Sequence, residues 1–288
     1  MSVAFLGPRG TNSEEAAIAY AGEDAAMIGF ASIPALTEAV ETGLADVAIL
    51  PIENSIEGAV SMTHDLLIHE TGLRIAHEVV VPIRHALVTL EGVKLEEIRT
   101  VISHPQALGQ SRRFLDRCLP KAEPVAALST AGAVKETVEG SDRTRAAIGP
   151  ERSQELYGGV VLAHDIQDIL GNLTRFVVLA REDAQPTGDD KTSIGLTVKA
   201  NVPGALEQVI GPIAKAGLQM TRLESRPTKG WLGDYVFLID FEGHRSEQRV
   251  IDVLKQIEKP AAMMKVFGSY PRFPIENLRD LVQSPALL

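Results

Sequence analysis

The sequence has one cysteine among its 288 residues, Cys118. A single thiol cannot close an internal disulfide or build a multi-thiolate metal site. Its setting, with Phe114, Leu115 and Leu119, reads as a partly buried helix position. No apolar run approaches the ~20 residues that a membrane-crossing helix needs. The start, Met-Ser-Val-Ala-Phe-Leu-Gly, lacks the basic and apolar regions of a secretion signal, so the expected location is the cytoplasm. Cations are in deficit, with 28 Lys and Arg against 38 Asp and Glu and a formal net charge of −10. That field repels nucleic acid and anionic membrane surfaces. It also repels an anionic small molecule, which would need a local cluster of donors to bind. His-Glu-x-x-His, Cys-x-x-Cys and Gly-x-Ser-x-Gly are all missing, and no Gly-Lys-Ser/Thr follows the first glycine loop. These absences argue against a metal site, a nucleophile elbow and a P-loop.

What is present is enough apolar material, 45% of the chain, for more than one core. Short apolar runs alternate with amphipathic stretches. Val3–Leu6, Met27–Phe30 and Val47–Leu50 read as strands, the last stopping at Pro51. Thr11 and Glu14 have the spacing of a capping box, and Ile33, Leu36, Val40 and Leu44 recur at helical intervals. This is the β-α-β-α-β rhythm of an open, mostly parallel sheet. After a crossing strand at Glu78–Pro82, the pattern restarts. Ala86–Leu90, Thr100–Ser103, Pro124–Ala127 and Arg145–Gly149 read as strands of a second sheet, with helices over Gln106–Cys118 and Thr130–Val138, and a further apolar run at Val160–Leu162 follows. Thr174–Ala180 reads as a strand returning to the first lobe. The polar stretch 182–190 reads as a linker. Beyond it, Thr192–Lys199, Pro203–Ala216, Leu218–Ser225, Tyr235–Phe241, Ser246–Ile257 and Met263–Tyr270 follow the order βαββαβ, the ferredoxin-like arrangement. Asn201 is the cap candidate for the first of its helices. A tail with a short helical segment follows Pro271.

In open α/β sheets ligands bind at the carboxyl ends of strands, which directs attention to four polar segments. Gly7-Pro8-Arg9-Gly10-Thr11-Asn12-Ser13 is a glycine-flanked loop entering a helix, suited to a carboxylate or phosphate, or simply a turn and cap. Pro51-Ile52-Glu53-Asn54-Ser55-Ile56-Glu57-Gly58 places several small polar residues after a strand, more than the one that an N-cap requires. Ser103-His104-Pro105-Gln106-Ala107 sets a histidine before a proline at a helix start, as a structural residue or an anion donor. In Asn172-Leu173-Thr174-Arg175-Phe176 the arginine is either an exposed strand charge or a guanidinium fork for a carboxylate.

These segments, in this order, resemble those of the prephenate dehydratase family. Pro203-Gly204-Ala205-Leu206 and Glu224-Ser225-Arg226-Pro227 resemble the ACT domain that follows in that family. The resemblance spans about residues 3 to 271, with one departure: Asn12 stands where the family commonly has an aromatic residue. It implies an α/β fold, a two-lobed, periplasmic-binding-protein-like catalytic region over 1–181 (second lobe about 83–163) with a central cleft. A linker at 182–190, a ferredoxin-like ACT domain over 191–271 and a tail at 272–288 would follow. The first strand begins at Val3, and the expectation is that no chorismate mutase domain precedes it. The implied reaction is decarboxylative dehydration of prephenate to phenylpyruvate, water and carbon dioxide, without a cofactor. Thr174, Arg175, Asn54 and Ser55 would be catalytic, Thr174 as a hydrogen-bond donor to the leaving oxygen. Thr11, Glu53, Ser103, His104, Gln106, Asn172 and Phe176 would bind substrate. L-phenylalanine would bind at Gly204, Ala205, Leu206, Glu224, Ser225 and Arg226 of a homodimer or homotetramer. Arogenate dehydration, or non-enzymatic sensing of an amino acid, are the competing readings.

Overall fold

The computed structural model describes residues 1–199, 202–228, 235–274 and 278. Its first segment runs β1 (Ser2–Leu6), α1 (Asn12–Ala21), β2 (Ala26–Phe30), α2 (Ile33–Glu41) and β3 (Val47–Asn54). β1 pairs in parallel with both β2 and β3. A short β4 (Gly58–Ala59) folds back antiparallel on β3, α3 (Ser61–His69) follows, and β5 (Arg74–Pro82) leads onward. The second sheet is built by β6 (Ala86–Thr89), β7 (Thr100–Ser103), β8 (Glu123–Ala126), β9 (Arg145–Gly149) and β10 (Val160–Ala163). Between these strands come α4 (Pro105–Gln110), α5 (Arg112–Cys118), α6 (Thr130–Glu139) and α7 (Glu151–Tyr157). β11 (Leu173–Ala180) then rejoins the first sheet. The strand orders are β2-β1-β3-β11-β5 and β10-β6-β9-β7-β8.

The second sheet shows why its central strands β6, β7 and β9 read as nearly continuous apolar runs. Side chains alternate across a strand, and here both faces are covered. Leu87, Val101, Ala146 and Ile148 enter one core with Ala107 of α4. Their neighbours Ala86, Val88, Ile102 and Ala147 enter another with Ala133 and Val134 of α6. Gly149 ends β9 because α6 lies against it: a Cβ there would sit 2.6 Å from Val134 Cγ2. That close approach positions the start of α6.

The last segment is β12 (Asp190–Val198), α8 (Ala205–Lys215), β13 (Met220–Pro227), β14 (Tyr235–Glu242), α9 (Gln248–Glu258) and β15 (Ala261–Pro271). Its antiparallel sheet, in the order β13-β14-β12-β15, is the ferredoxin-like topology. Ile194, Leu196 and Phe241 of the sheet share a core with Val209, Ile213, Val253 and Ile257 of the two helices. By compactness the chain forms two units. One holds Met1–Val60 and Val79–Phe176, and the other holds Ser61–Glu78 with Val177–Phe273. Inside the second unit, Lys191 Nζ meets the buried carboxylate of Glu78 at 2.8 and 2.9 Å, and Phe273 N–H donates to it as well.

Several local expectations are corrected. β3 does not stop at Pro51 but continues to Asn54. The Gln106–Cys118 stretch is two helices broken at Ser111, not one. Cys118 is exposed. α8 opens at Ala205 rather than Pro203, with Gly204 at its N-cap in the left-handed region, φ 86°. Asn201 and most of the tail lie outside the described residues. The capping box does not form. Thr11 Oγ1 donates to the carbonyls of Leu6 and Pro8, both at 3.1 Å, and Glu14 reaches back instead to Gly10 N–H at 2.6 Å.

Glu14 is fully buried at a junction of the two lobes of the first unit. Arg9 bonds it at 2.8 Å, and Arg152 of α7 lies 3.6 Å away. α7 was not anticipated from the sequence, yet it clasps the first loop: Ser153 Oγ donates to Gly10 O and Tyr157 Oη to Arg9 O. Burial at this junction raises the Glu15 carboxyl to about 7, against Arg152 and with Glu155, Glu14 and Glu151 adding to the rise. The folded value lies above the ordinary 4.5. The stabilising contribution is therefore complete below the unfolded value and is lost as pH rises through about 7. Glu15→Gln, which cannot ionise, should raise the melting temperature relative to the parent at pH 8 and give no gain at pH 4. Equal shifts at both pH values in thermal melts would contradict this assignment.

Candidate active site

Within the first unit, elements from both sheets enclose a cavity of about 310 Å³. Four helices begin on its wall: α1 with Asn12 and Ser13, α2 with Ile33, α6 with Thr130, and the shorter α4 with Gln106 and Ala107. The first turn of a helix presents N–H groups without intrahelical partners and carries partial positive charge. Among the described residues no Lys or Arg lines the cavity, and no Asp or Glu. The site can therefore attract an anion through helix ends rather than through side-chain cations.

A hydrogen-bond network crosses one wall. Asn54 Oδ1 accepts the backbone N–H groups of Ile56 and Glu57, each at 3.0 Å. Backbone N–H groups only donate, so the orientation of this carboxamide is settled. Its Nδ2 must then donate, to Asn172 Oδ1 at 2.7 Å and Thr174 Oγ1 at 2.9 Å. The polarity propagates. Asn172 Nδ2 donates to Gln110 Oε1 at 3.2 Å, and Gln110 Nε2 to Glu57 Oε1 at 3.3 Å. His85 Nε2 also meets Gln110 Oε1, at 3.1 Å. Because Thr174 Oγ1 accepts from Asn54, its own proton is not used in that bond. The wall thus holds a hydroxyl whose oxygen is polarised by one amide and whose proton can be given to a ligand.

The sequence-selected residues separate into two groups. Asn54, Thr174, Asn172, Phe176, His104 and Gln106 line the cavity. His104 also caps α4, its Nδ1 accepting Gln106 N–H at 3.3 Å. The others stand behind the wall. Ser55 joins the end of β3 to the start of β11, donating N–H to Leu173 O at 2.8 Å and accepting Leu173 N–H on Oγ at 2.9 Å. No helix begins at Asn54 or Ser55; the next opens at Ser61. Ser103 is buried and spends its hydroxyl on Ile148 O at 2.6 Å. Arg175 lies between Thr174 and Phe176 on an extended strand, so it faces the other way. It meets Glu53 Oε2 at 3.1 Å. The N–H groups of Gly7 and Gly10 are taken by Phe30 O and Glu14, which leaves the anion-facing role of the first loop to Asn12 and Ser13.

Residues 3–184 match the family model described as prephenate dehydratase. The chain belongs to the prephenate dehydratase family. Over 94% of its length it is 39% identical to the bifunctional chorismate mutase/prephenate dehydratase of Aquifex aeolicus, covering 74% of that protein. It is 36% identical to the prephenate dehydratase of Methanocaldococcus jannaschii over 94% of this chain and 98% of the other. The structure of prephenate dehydratase from Arthrobacter aurescens in complex with L-Phe superposes with a TM-score of 0.87 at 37% identity, over 94% of this chain and 90% of that one. A second structure, of GqqA, described as a novel type of quorum quenching acylase, gives a TM-score of 0.85 at 31% identity, over 96% and 100% of the two chains.

Sequence reasoning overlooked His85, Gln110 and Thr130, all on the cavity wall of this prephenate dehydratase family member. No local motif marks them, and their partners are distant in the chain. In the ferredoxin-like segment, β13 alternates so that Glu224 and Arg226 are half-buried and Ser225 is exposed. Glu224 pairs with Arg222, and Arg226 donates to Ser61 O at 3.3 Å and Asp65 Oδ1 at 3.5 Å. Ala205 is buried, Leu206 half-buried and Gly204 exposed.

Asn54→Asp tests the network. The carboxylate still accepts both turn N–H groups but cannot donate, so Asn172 and Thr174 lose the group that orients them. Turnover of prephenate should fall by about 10²-fold or more, with the far-ultraviolet spectrum unchanged. Parental turnover in a folded Asp variant would show that the donor at position 54 is dispensable.

Proposed function

We propose that the cavity binds prephenate and that Thr174 donates its hydroxyl proton in a hydrogen bond to the oxygen that leaves. Supporting this reading is the polarity of the wall: Asn54 Nδ2 donates to Thr174 Oγ1, so the threonine proton is available. In the reaction the bond from the ring to its carboxylate carbon breaks and releases CO2. The electron pair enters the ring, and the C–O bond breaks with its pair on oxygen. Hydroxide leaves, takes one proton from solvent and becomes water. Aromatisation supplies the driving force, so the protein needs to orient a dianion and ease the departure of hydroxide. The starts of α1, α2 and α6 would hold the carboxylates. A threonine is too weak an acid to be a free proton source, and a preorganised hydrogen bond is the role that its chemistry allows.

The absence of Asp or Glu from the described lining favours a keto acid over an amino acid, hence prephenate over arogenate. An acylase reading has less support: Ser13, Thr130 and Thr174 make no hydrogen bond to His85 or His104, so no hydroxyl is activated by an imidazole. We place catalysis in residues 1–181, with 182–190 as a linker, and regulation in an ACT domain over 191–271 that takes L-phenylalanine near Gly204–Leu206 and Glu224–Arg226. Pairing of such domains into a homodimer or homotetramer would cover their open strand edges. No described helix is long and apolar enough to cross a membrane. A biosynthetic role in the cytoplasm accords with this chemistry.

Thr174→Val keeps the shape and removes the hydroxyl. Phenylpyruvate formation should fall by about 10²–10³-fold, and a folded variant within threefold of the parent would remove Thr174 from the chemistry. The effector site is tested at Ser225, since substitution at Gly204, with φ 86°, would strain the backbone itself. Ser225→Phe, on an exposed extended residue, should abolish inhibition by L-phenylalanine and leave uninhibited turnover unchanged. Inhibition at parental concentrations would relocate the effector.

A further inference from the structure

We propose that His85 is a further substrate-contacting residue, whose Nδ1 accepts a hydrogen bond from the ring hydroxyl of prephenate. The inference rests on the reading of the cavity as the prephenate site. His85 lines that cavity with only 3% of its surface exposed. Its Nδ1 has no hydrogen-bond partner and is closed to solvent, so the contact includes a small tilt of the ring about its bond to Gln110. The protonation of the ring follows from the network. Gln110 Oε1 is already oriented as an acceptor by Asn172 Nδ2, so His85 Nε2, 3.1 Å away, must carry the proton. Nδ1 is then a bare lone pair. Burial also holds the imidazole below its ordinary pKa, opposed in part by the bond to Gln110, which keeps the ring neutral.

A buried acceptor without a donor is costly, and the substrate offers one match. At neutral pH the two carboxylates and the ketone of prephenate only accept hydrogen bonds. The ring hydroxyl is its single donor. One other unpaired acceptor lies on the wall, Asn12 Oδ1. Its carboxamide is not locked by a network, and rotation can present Nδ2 instead. His85 has no such freedom. The hydroxyl is therefore bracketed: Thr174 donates to its oxygen, and its hydrogen points to His85. The bracket fixes the direction of the C–O bond, so the electron pair of the breaking bond collects on an oxygen that faces Thr174. Hydroxide leaves with its own hydrogen and takes one proton from solvent to become water. His85 neither supplies nor keeps that proton.

Two substitutions separate the ring nitrogens. In His85→Gln the amide nitrogen can occupy the Nε2 position and keep the bond to Gln110, with no acceptor where Nδ1 stood. In His85→Asn the carbonyl can occupy the Nδ1 position but cannot reach Gln110. Expected is a loss of about tenfold or more in kcat/KM for prephenate in His85→Gln, a smaller loss in His85→Asn, and an unchanged inhibition constant for phenylpyruvate, which has no ring hydroxyl. Parental kcat/KM in His85→Gln would overturn the proposal. So would proportional loss of prephenate turnover and phenylpyruvate binding, or a larger loss in His85→Asn than in His85→Gln. A measurement on the unsubstituted protein guards against misfolding. With nitrogen-15 in the imidazole, the Nδ1 resonance should lie in the unprotonated range and shift on binding tetrahydroprephenate, which keeps the hydroxyl and both carboxylates but cannot aromatise. A resonance unmoved by the bound analogue would overturn the contact. If the parent does not turn over prephenate, the functional reading falls. If the parent is active and His85→Gln equals it, only the role of His85 falls.

Discussion

The carboxamide of Asn54 is the constraint from which the site is organised. Its oxygen holds two backbone N–H groups, and its nitrogen therefore has to donate. Every polar partner downstream inherits that direction, through Asn172, Gln110 and His85 on one branch and Thr174 on the other. A buried network with mixed or ambiguous polarity would pay for unsatisfied groups at each step. Here a local turn after β3 determines the protonation pattern of a whole wall. β3 runs past Pro51 to place that turn, and Ser55 pins it to β11, the strand that carries Thr174.

A second constraint is electrostatic. The chain carries a net charge of −10, and the described cavity wall has neither Lys nor Arg. Attraction of an anion to this cavity then depends on where helices begin. An open α/β sheet delivers helix starts to the carboxyl ends of its strands, and two such sheets facing one cavity contribute α1, α2, α4 and α6. The small residues at these starts, Asn12, Ser13, Ala107 and Thr130, keep backbone N–H groups within reach of a ligand. The glycine approach between β9 and α6 serves the same end, because it sets how close the α6 start can come.

Much of this was legible in the sequence. The strands at Thr100–Ser103 and Arg145–Gly149 fall where apolar runs placed them. Both faces of the sheet are buried along these central strands, so the signal was strong. Punctuation was less readable. Pro51 looked like a strand end, and Thr11 with Glu14 looked like a capping box. Each was decided by a competing partner: β4 and β11 extend the ladder past Pro51, and Arg9 with Gly10 N–H draws Glu14 away. Within the site, Thr174 and Asn54 stood out beside strand ends, whereas Arg175 shares the motif of Thr174 but sits on the opposite strand face.

The sequence by itself determined the α/β alternation, the ferredoxin-like order of the final segment and the polar segments at strand ends, since these depend on spacing along the chain. Only the tertiary structure decided which of those polar residues share a wall, which way each amide points, and that His85 and Gln110 belong among them. Such facts arise from contacts between residues far apart in the chain, 118 positions in the pairing of Asn54 with Asn172, and hydrogen-bond direction is a property of the closed network rather than of any residue in it.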